Sequence, residues 1–352
     1  MQDRKKLKLA LTLFLLVIVF IFLYWADGNL DSFKKRILNL SAVFVVLALS
    51  MNLVIGFTGM FSLGHSGFMC VGAYTAAILT MSPASKEIIY FMEPINPLLA
   101  NVEIHAFWAI LLAGIVAALF GFLVGFPALR LKDDYLAIAT LGFAEIIRIF
   151  VVNLVPITNG ALGLKNIPPL RSTLAYWGIA IVTIIVIKRV VDSSWGSAFK
   201  AIRDNEIAAE AMGVGILKHK LMSFTIGAFF AGVAGAMMAF LITSIDPTMF
   251  RFLFTFQILL IVVLGGMGSL TGSVISAVII TVLMEVLRVA EQPINVFGLF
   301  QIPGLPGMRM VIFSLGLLLI ILYYRQGLMG TKEFNWNWFL NKFSRKERSE
   351  TT

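Results

Sequence analysis

Residues 175–187 read A-Y-W-G-I-A-I-V-T-I-I-V-I, and residues 9–24 read L-A-L-T-L-F-L-L-V-I-V-F-I-F-L-Y. Both stretches are apolar on every face. A membrane β-barrel would alternate apolar and polar positions, so these runs are helices surrounded by lipid or by other helices. Runs of the length a helix needs to cross a bilayer, roughly 17 to 25 residues, recur along the chain. They fall at about 9–25, 37–56, 60–82, 104–126, 134–153, 174–190, 219–243, 255–267, 269–287 and 309–324. The composition agrees: 59% hydrophobic and 13% charged, against roughly half and a quarter for a soluble globule. The expected fold is all-α, a polytopic transmembrane bundle of about ten spans. Residues 1–333 form one membrane domain and 334–352 a cytoplasmic tail, whose Trp336 and Trp338 beside Lys342, Arg345 and Lys346 suit an interfacial anchor. The first run follows Arg4, Lys5, Lys6 and Lys8 and has no small-x-small cleavage site before Asp27, which marks a retained signal anchor.

Basic residues set the orientation. The N-terminus, the loop from Arg130 to Lys132, the segment from Lys188 to Lys220 and the tail after Arg325 share one side if each span crosses once, and their Lys and Arg excess makes that side cytoplasmic. The other side receives 83–103, with Glu87, Glu93 and Glu103, and 154–173, with Pro156, Pro168 and Pro169. Lys34, Lys35 and Arg36 break the rule; either they anchor a span edge or the first span begins elsewhere. The net charge of +9 does not signal nucleic acid, because the cations gather in loops beside apolar runs instead of in an aromatic-laced patch. The single cysteine, Cys70, excludes an intramolecular disulfide and a thiolate metal cluster, and reads as a packing residue.

Two glycine-rich interruptions share the order G-M-x-S-L-x-x-S: G-F-T-G-M-F-S-L-G-H-S-G from Gly56 to Gly67, and G-G-M-G-S-L-T-G-S from Gly265 to Ser273. Broken helices at membrane depth survive where the freed backbone groups face protein or a polar cavity. Gly59, Ser62, Gly64, His65, Ser66, Gly265, Gly266 and Ser269 are therefore the candidates for a substrate pathway, against the plainer alternative of turns between spans. Elsewhere, as at Gly227, Gly232 and Gly235, small residues read as close helix contacts.

The long polar interruption, within a loop from 191 to 218, is S-W-G-S-A-F-K-A-I-R-D-N-E-I-A-A-E-A-M-G-V, Ser194 to Val214. Its spacing predicts one helix from Gly196 to Met212, with Phe199, Ile202 and Ala209 on an apolar side, Lys200, Arg203, Asp204 and Glu210 facing outward, and Gly213 ending it. Mixed signs favour a docking helix that enters a complementary cleft over one that adheres to anionic lipid.

The run E-I-A-A-E-A-M-G resembles the E-A-A-x-x-x-G loop by which ABC importer permeases contact their ATPases. More specifically, from about Asn52 to Gly272 the chain resembles the branched-chain amino acid ABC permease family, which also includes urea and amide permeases. The resemblance rests on K-A-I-R-D-N-E-I-A-A-E-A-M-G from Lys200, S-L-G-H-S-G-F with V-G-A-Y, D-D-Y-L-A-I-A-T-L-G-F-A-E-I-I-R from Asp133 to Arg148, T-N-G-A-L-G-L from Thr158, and V-L-G-G-M-G-S-L-T-G from Val263. It implies an ATP-driven importer subunit of a bacterial inner membrane, paired with a sister permease, two ATP-binding cassette ATPases and a periplasmic or lipid-anchored substrate-binding protein. It also implies that Arg203, Asp204, Asn205, Glu206, Ala209, Glu210 and Gly213 couple the chain to ATP hydrolysis. Urea or short amides are the alternative cargo, and a stand-alone ion-coupled carrier or channel is the alternative class.

The chain carries no phosphate loop, no H-E-x-x-H and no Cys/His cluster, so neither an ATPase site of its own, a metal nor a cofactor is expected. Glu145 and Arg148, three apart on one helix, read first as a structural ion pair inside the bundle and second as a substrate contact. Asp133 and Asp134 read first as a solvated helix start and second as a coupling contact, and His65 as an imidazole that satisfies backbone carbonyls.

Overall fold

The computed structural model describes residues 2–291 except 92 and 132, together with 294–296, 300–302, 307–308, 311–312, 314–315, 322, 327–330 and 333. Helices follow the apolar runs: α1 Gln2–Asn29, α2 Ser32–Asn52, α3 His65–Thr80, α4 Pro83–Ile89, α5 Pro97–Ala100, α6 Ala106–Ala128, α7 Asp133–Asn153, α8 Val155–Thr158, α9 Thr173–Val191, α10 Ser194–Asp204, α11 Glu206–Ala211, α12 Ile216–Ile242, α13 Phe252–Gly265 and α14 Leu270–Val286. A short antiparallel hairpin, β1 Ile294–Val296 with β2 Phe300–Ile302, follows. The chain is therefore helical with several apolar spans. Among the described residues, five helices are long and apolar enough to cross a membrane: α2 with its continuation to Phe57, α6, α7, α9 and α12. α3 and α4 qualify together but meet at a bend of 118°, and α13 and α14 are shorter apolar helices. The windows at 309–324 and 334–352 lie largely outside the described residues.

The window expected at 60–82 is shorter than its composition suggests. Residues 59–64 form no regular element, and α3 begins at His65. α2 ends in a widened π turn, Leu53–Phe57, before that break.

α2 is the central helix. Every residue from Ser41 to Thr58 is buried, as expected of a helix apolar all round, and α9, α12, α13 and α14 pack on its sides. α3, α6 and α12 form a second tight group, drawn together by missing side chains. A Cβ on Gly72 would stand 2.2 Å from the Gly232 carbonyl oxygen, one on Gly232 2.3 Å from Ala117 Cβ, and one on Gly235 2.1 Å from the Met69 carbonyl oxygen. In lipid, where burial of apolar surface gives helices no reason to associate, this backbone proximity supplies the dispersion contacts.

The segments expected on the outer side are laced together at one end of the bundle. Asn96 N donates to the Pro156 carbonyl at 3.0 Å, Tyr90 Oη to that of Ile157, and Leu164 and Ile245 exchange backbone bonds at 2.8 Å. Thr173 N donates to Asp27 Oδ1 at 3.2 Å, which brings the α1–α2 turn to the same end. Arg36, near the start of α2, lines a hollow of about 190 Å³ with Gln257 and Glu285.

Gly232→Val is expected to destabilise the bundle by roughly 1–3 kcal/mol through overpacking against α6, read as a lowered melting temperature of the detergent-purified protein; an unchanged melt would show that the α6–α12 contact gives way freely.

Candidate functional site

The polar segment after α9 folds back because Gly196 lets it: a Cβ there would lie 2.1 Å from the Val191 carbonyl oxygen. Instead of one helix from Gly196 to Met212, two form, separated at Asn205. Its backbone is extended (φ −161°, ψ 109°) and its Oδ1 accepts from Ala208 N at 3.0 Å, so the asparagine acts as an N-cap that starts a second helix. α11 ends in a paired C-terminal motif, with Gly213 N on the Glu210 carbonyl, Val214 N on the Ala209 carbonyl, and Gly213 at φ +85°, the left-handed position that favours glycine. Phe199, Ile202 and Ala209, expected to be the apolar side that enters a partner's cleft, are instead buried against the chain itself. Lys200 does not face fully outward; it is half-buried, with Nζ 3.4 Å from the Val191 carbonyl oxygen and 5.9 Å from the Phe57 ring centre.

What the segment shows to the outside is a different set. Ile207 is 80% and Met212 85% exposed, on either side of Glu210, which is exposed and unpaired among the described residues. The pattern rule missed both apolar residues because it assigns such side chains inward; the signal was their offset from the Phe199–Ile202–Ala209 stripe. Glu206 is tied to Lys220 at 2.8 Å. Arg203, Asp204, Asn205, Glu206 and Glu210 line a hollow of about 580 Å³ with Gly59, Asp134 and Lys220, and Glu210 also borders one of about 500 Å³ beside Arg130 and Lys218.

This segment touches the first glycine break directly. Arg203 Nη1 donates to the Gly56 carbonyl at 3.1 Å, while Nε and Nη2 hold Asp204 Oδ1 at 3.0 and 2.9 Å. The two glycine breaks in turn meet on one side chain. Asn52 Nδ2 donates to the Ser269 carbonyl at 2.9 Å and to Ser273 Oγ at 2.8 Å, and its Oδ1 accepts from Gly268 N at 2.9 Å. The matched glycines of the shared pattern, Gly59 and Gly266, both stand at positive φ, +77° and +105°.

Neighbouring hydroxyls satisfy the backbone freed by the first break. Thr58 Oγ1 donates to the Leu53 carbonyl, Leu63 N donates to Thr140 Oγ1 and Ser66 N to Thr255 Oγ1. At the second break, Leu328 N and Met329 N donate to the Leu264 and Gly265 carbonyls. The Glu333 carboxylate accepts from Leu270 N at 2.6 Å and Thr271 N at 3.2 Å, capping α14 where its dipole favours an anion. Of the pathway candidates, Gly59 borders open space, whereas Ser62, Gly64, His65, Ser66, Gly265, Gly266 and Ser269 are buried.

Glu145 and Arg148 pair as expected, Nε to Oε2 at 2.7 Å, in a part-buried position with their side chains 27% and 21% exposed. Among the described residues there is no group of three His, Cys, Asp or Glu side chains able to hold a metal.

Residues 35–323 match the model of the permease component of branched-chain amino acid transport systems. The chain is 33% identical to the high-affinity branched-chain amino acid transport system permease protein LivM of Salmonella typhimurium and 32% to that of Escherichia coli, over 80% of this chain and 69% of each relative. It is 26% identical to a probable branched-chain amino acid transport permease protein LivM of Methanocaldococcus jannaschii, over 82% of this chain and 91% of that one. No solved structure matches it.

Replacing Asn52 by leucine keeps the volume but leaves the buried Gly268 N–H without an acceptor. The expected loss is about 1–3 kcal/mol, measured as a fall in melting temperature that Asn52→Gln partly reverses. A leucine variant as stable as the parent would remove the clamp from the structure's supports.

Proposed function

The chain belongs to the family of permease components of branched-chain amino acid transport systems, and on that premise we propose that it is the membrane subunit of an ATP-driven ABC importer carrying branched-chain, hydrophobic amino acids into the cytoplasm. It is a multi-pass membrane protein, and a permease of this family acts without an ATPase site of its own. In this reading it resides in a bacterial inner membrane and crosses it ten times, as one permease domain over 1–333 with a cytoplasmic tail. It pairs with a sister permease, two ATP-binding cassette ATPases and a periplasmic or lipid-anchored binding protein.

The observation that carries the reading is the pair of exposed apolar side chains, Ile207 and Met212, flanking an unpaired Glu210 at the basic end of the bundle. Such a cluster of apolar anchors in a charged rim suits insertion into a partner's cleft. The coupling element is then the α10–α11 pair, from Ser194 to Ala211, rather than a single rod. Arg203, Asp204, Asn205, Glu206, Ala209, Glu210 and Gly213 hold its shape and charge. When the ATPases move this element, Arg203 pulls on the Gly56 carbonyl, and Asn52 passes the displacement to Gly268 and Ser269. One docking event thereby reaches both broken helices.

Tagged protein purified from its native membrane is expected to bring down two ATPases and a second permease, with ATP hydrolysis stimulated by leucine when the binding protein is present. Ile207→Asp with Met212→Asp should weaken ATPase binding by about 2 kcal/mol or more, roughly thirtyfold, while the chain still inserts and melts normally. Glu210→Lys and Gly213→Trp should uncouple hydrolysis from uptake. A chain recovered alone, and active in liposomes under an ion gradient without ATP, would replace this reading with that of a carrier.

A further inference from the structure

α7 carries a charge pair where lipid tolerates none. Glu145 lies about 18 Å along the helix from its start at Asp133, near the middle of a hydrocarbon core about 30 Å thick. The chain leaves that face open. Gly142, one turn away, has nothing within 4 Å of where a Cβ would stand, and Ile138, Ile146 and Ile149 are exposed beside it. Hydrocarbon supplies neither donor nor acceptor to a part-exposed ion pair, so this face is covered by protein or by a water-filled passage.

The pair's unused atoms define what fits there. Arg148 engages Glu145 through Nε alone. Its Nη1 and Nη2, and Glu145 Oε1, have no partner among the described residues. Two parallel N–H donors match a carboxylate in a fork, and a free carboxylate oxygen matches an ammonium. The isoleucines alongside match an aliphatic side chain. We infer that the Glu145–Arg148 pair is a recognition subsite for the α-ammonium and α-carboxylate groups of the transported amino acid, in a passage lined by the open face of α7. The inference rests on the importer reading and deepens it. An amino acid entering the subsite adds an ion pair to each partner through these unused atoms while the Nε–Oε2 contact stays made, which uncharged urea or a short amide cannot do.

The test uses the complete transporter in proteoliposomes. Gly142→Cys places a thiol in open space, and the chain's single native cysteine, Cys70, is buried, so the parent complex sets the background. The engineered thiol is expected to react with a charged methanethiosulfonate. Saturating leucine should slow that reaction several-fold, and 4-methylpentanoate or isoamylamine, each lacking one charge, should not. Glu145→Leu with Arg148→Leu leaves no orphaned charge, so a merely structural pair would be dispensable; as a subsite, its loss should abolish the leucine protection and reduce leucine uptake at least about tenfold in a complex that still assembles. Should that variant fail to assemble, the protection of Gly142→Cys decides alone. A thiol that does not react, reaction indifferent to leucine, or an assembled double variant with uptake within about twofold of the parent would overturn the inference while the importer stands. A parent complex that moves no leucine with ATP would overturn both.

Discussion

The architecture turns on one carboxamide. Asn52 ends the most buried helix of the bundle and satisfies three groups of the α13–α14 turn at once, two by donation and one by acceptance. A helix interrupted at membrane depth leaves backbone N–H and C=O groups that lipid cannot satisfy. Here the interruption after α2 and the one before α14 solve the problem partly for each other. The remainder is met by hydroxyls from α7, α12 and α13 and by Glu333. Two breaks that would be liabilities singly become one rigid polar node, to which Arg203 adds the cytoplasmic segment. Movement at the surface then has a physical route inward, because the node has few alternative ways of pairing its groups.

The membrane constraint made most of the helical order legible. Apolar windows lead to α1, α2, α6, α7, α9 and α12 because nothing else in lipid can carry sixteen or more such residues. Gly213 was legible as a helix end because a left-handed residue there needs no side chain. What escaped was relational. The glycine breaks are visible in sequence, but their meeting depends on a partner 217 positions from Asn52, and a lone asparagine in an apolar run does not say whom it faces. The division between α10 and α11 escaped because Asp204-Asn205-Glu206 continues a helical period, and the competing signal, an asparagine three residues before Ala208, is local and weak. Ile207 and Met212 escaped for a related reason: periodicity sorts residues by chemistry, whereas a docking surface places apolar residues on the wrong side of that sorting.

The same asymmetry separates the two charged features. At the basic end, Arg203 with Asp204 sits where water screens it, and an exposed pair of this kind adds little stability, whereas Glu206 meets a largely buried Lys220; both give the segment shape and register. Glu145 with Arg148 is part-buried on an otherwise apolar helix, where the cost of desolvating two charges offsets much of their attraction.

The clamp also imposes a schedule. When α2 leaves the ribosome, the groups that Asn52 binds do not yet exist; they follow 216 to 221 residues later, about 10 to 40 seconds at ordinary rates of synthesis. Through that interval a helix destined for the centre of the bundle carries an unanswered amide, held only by early neighbours or by the insertion machinery. The polar node is thus completed only when α14 is in place, and until then the Asn52 carboxamide lacks the three partners it holds in the finished fold.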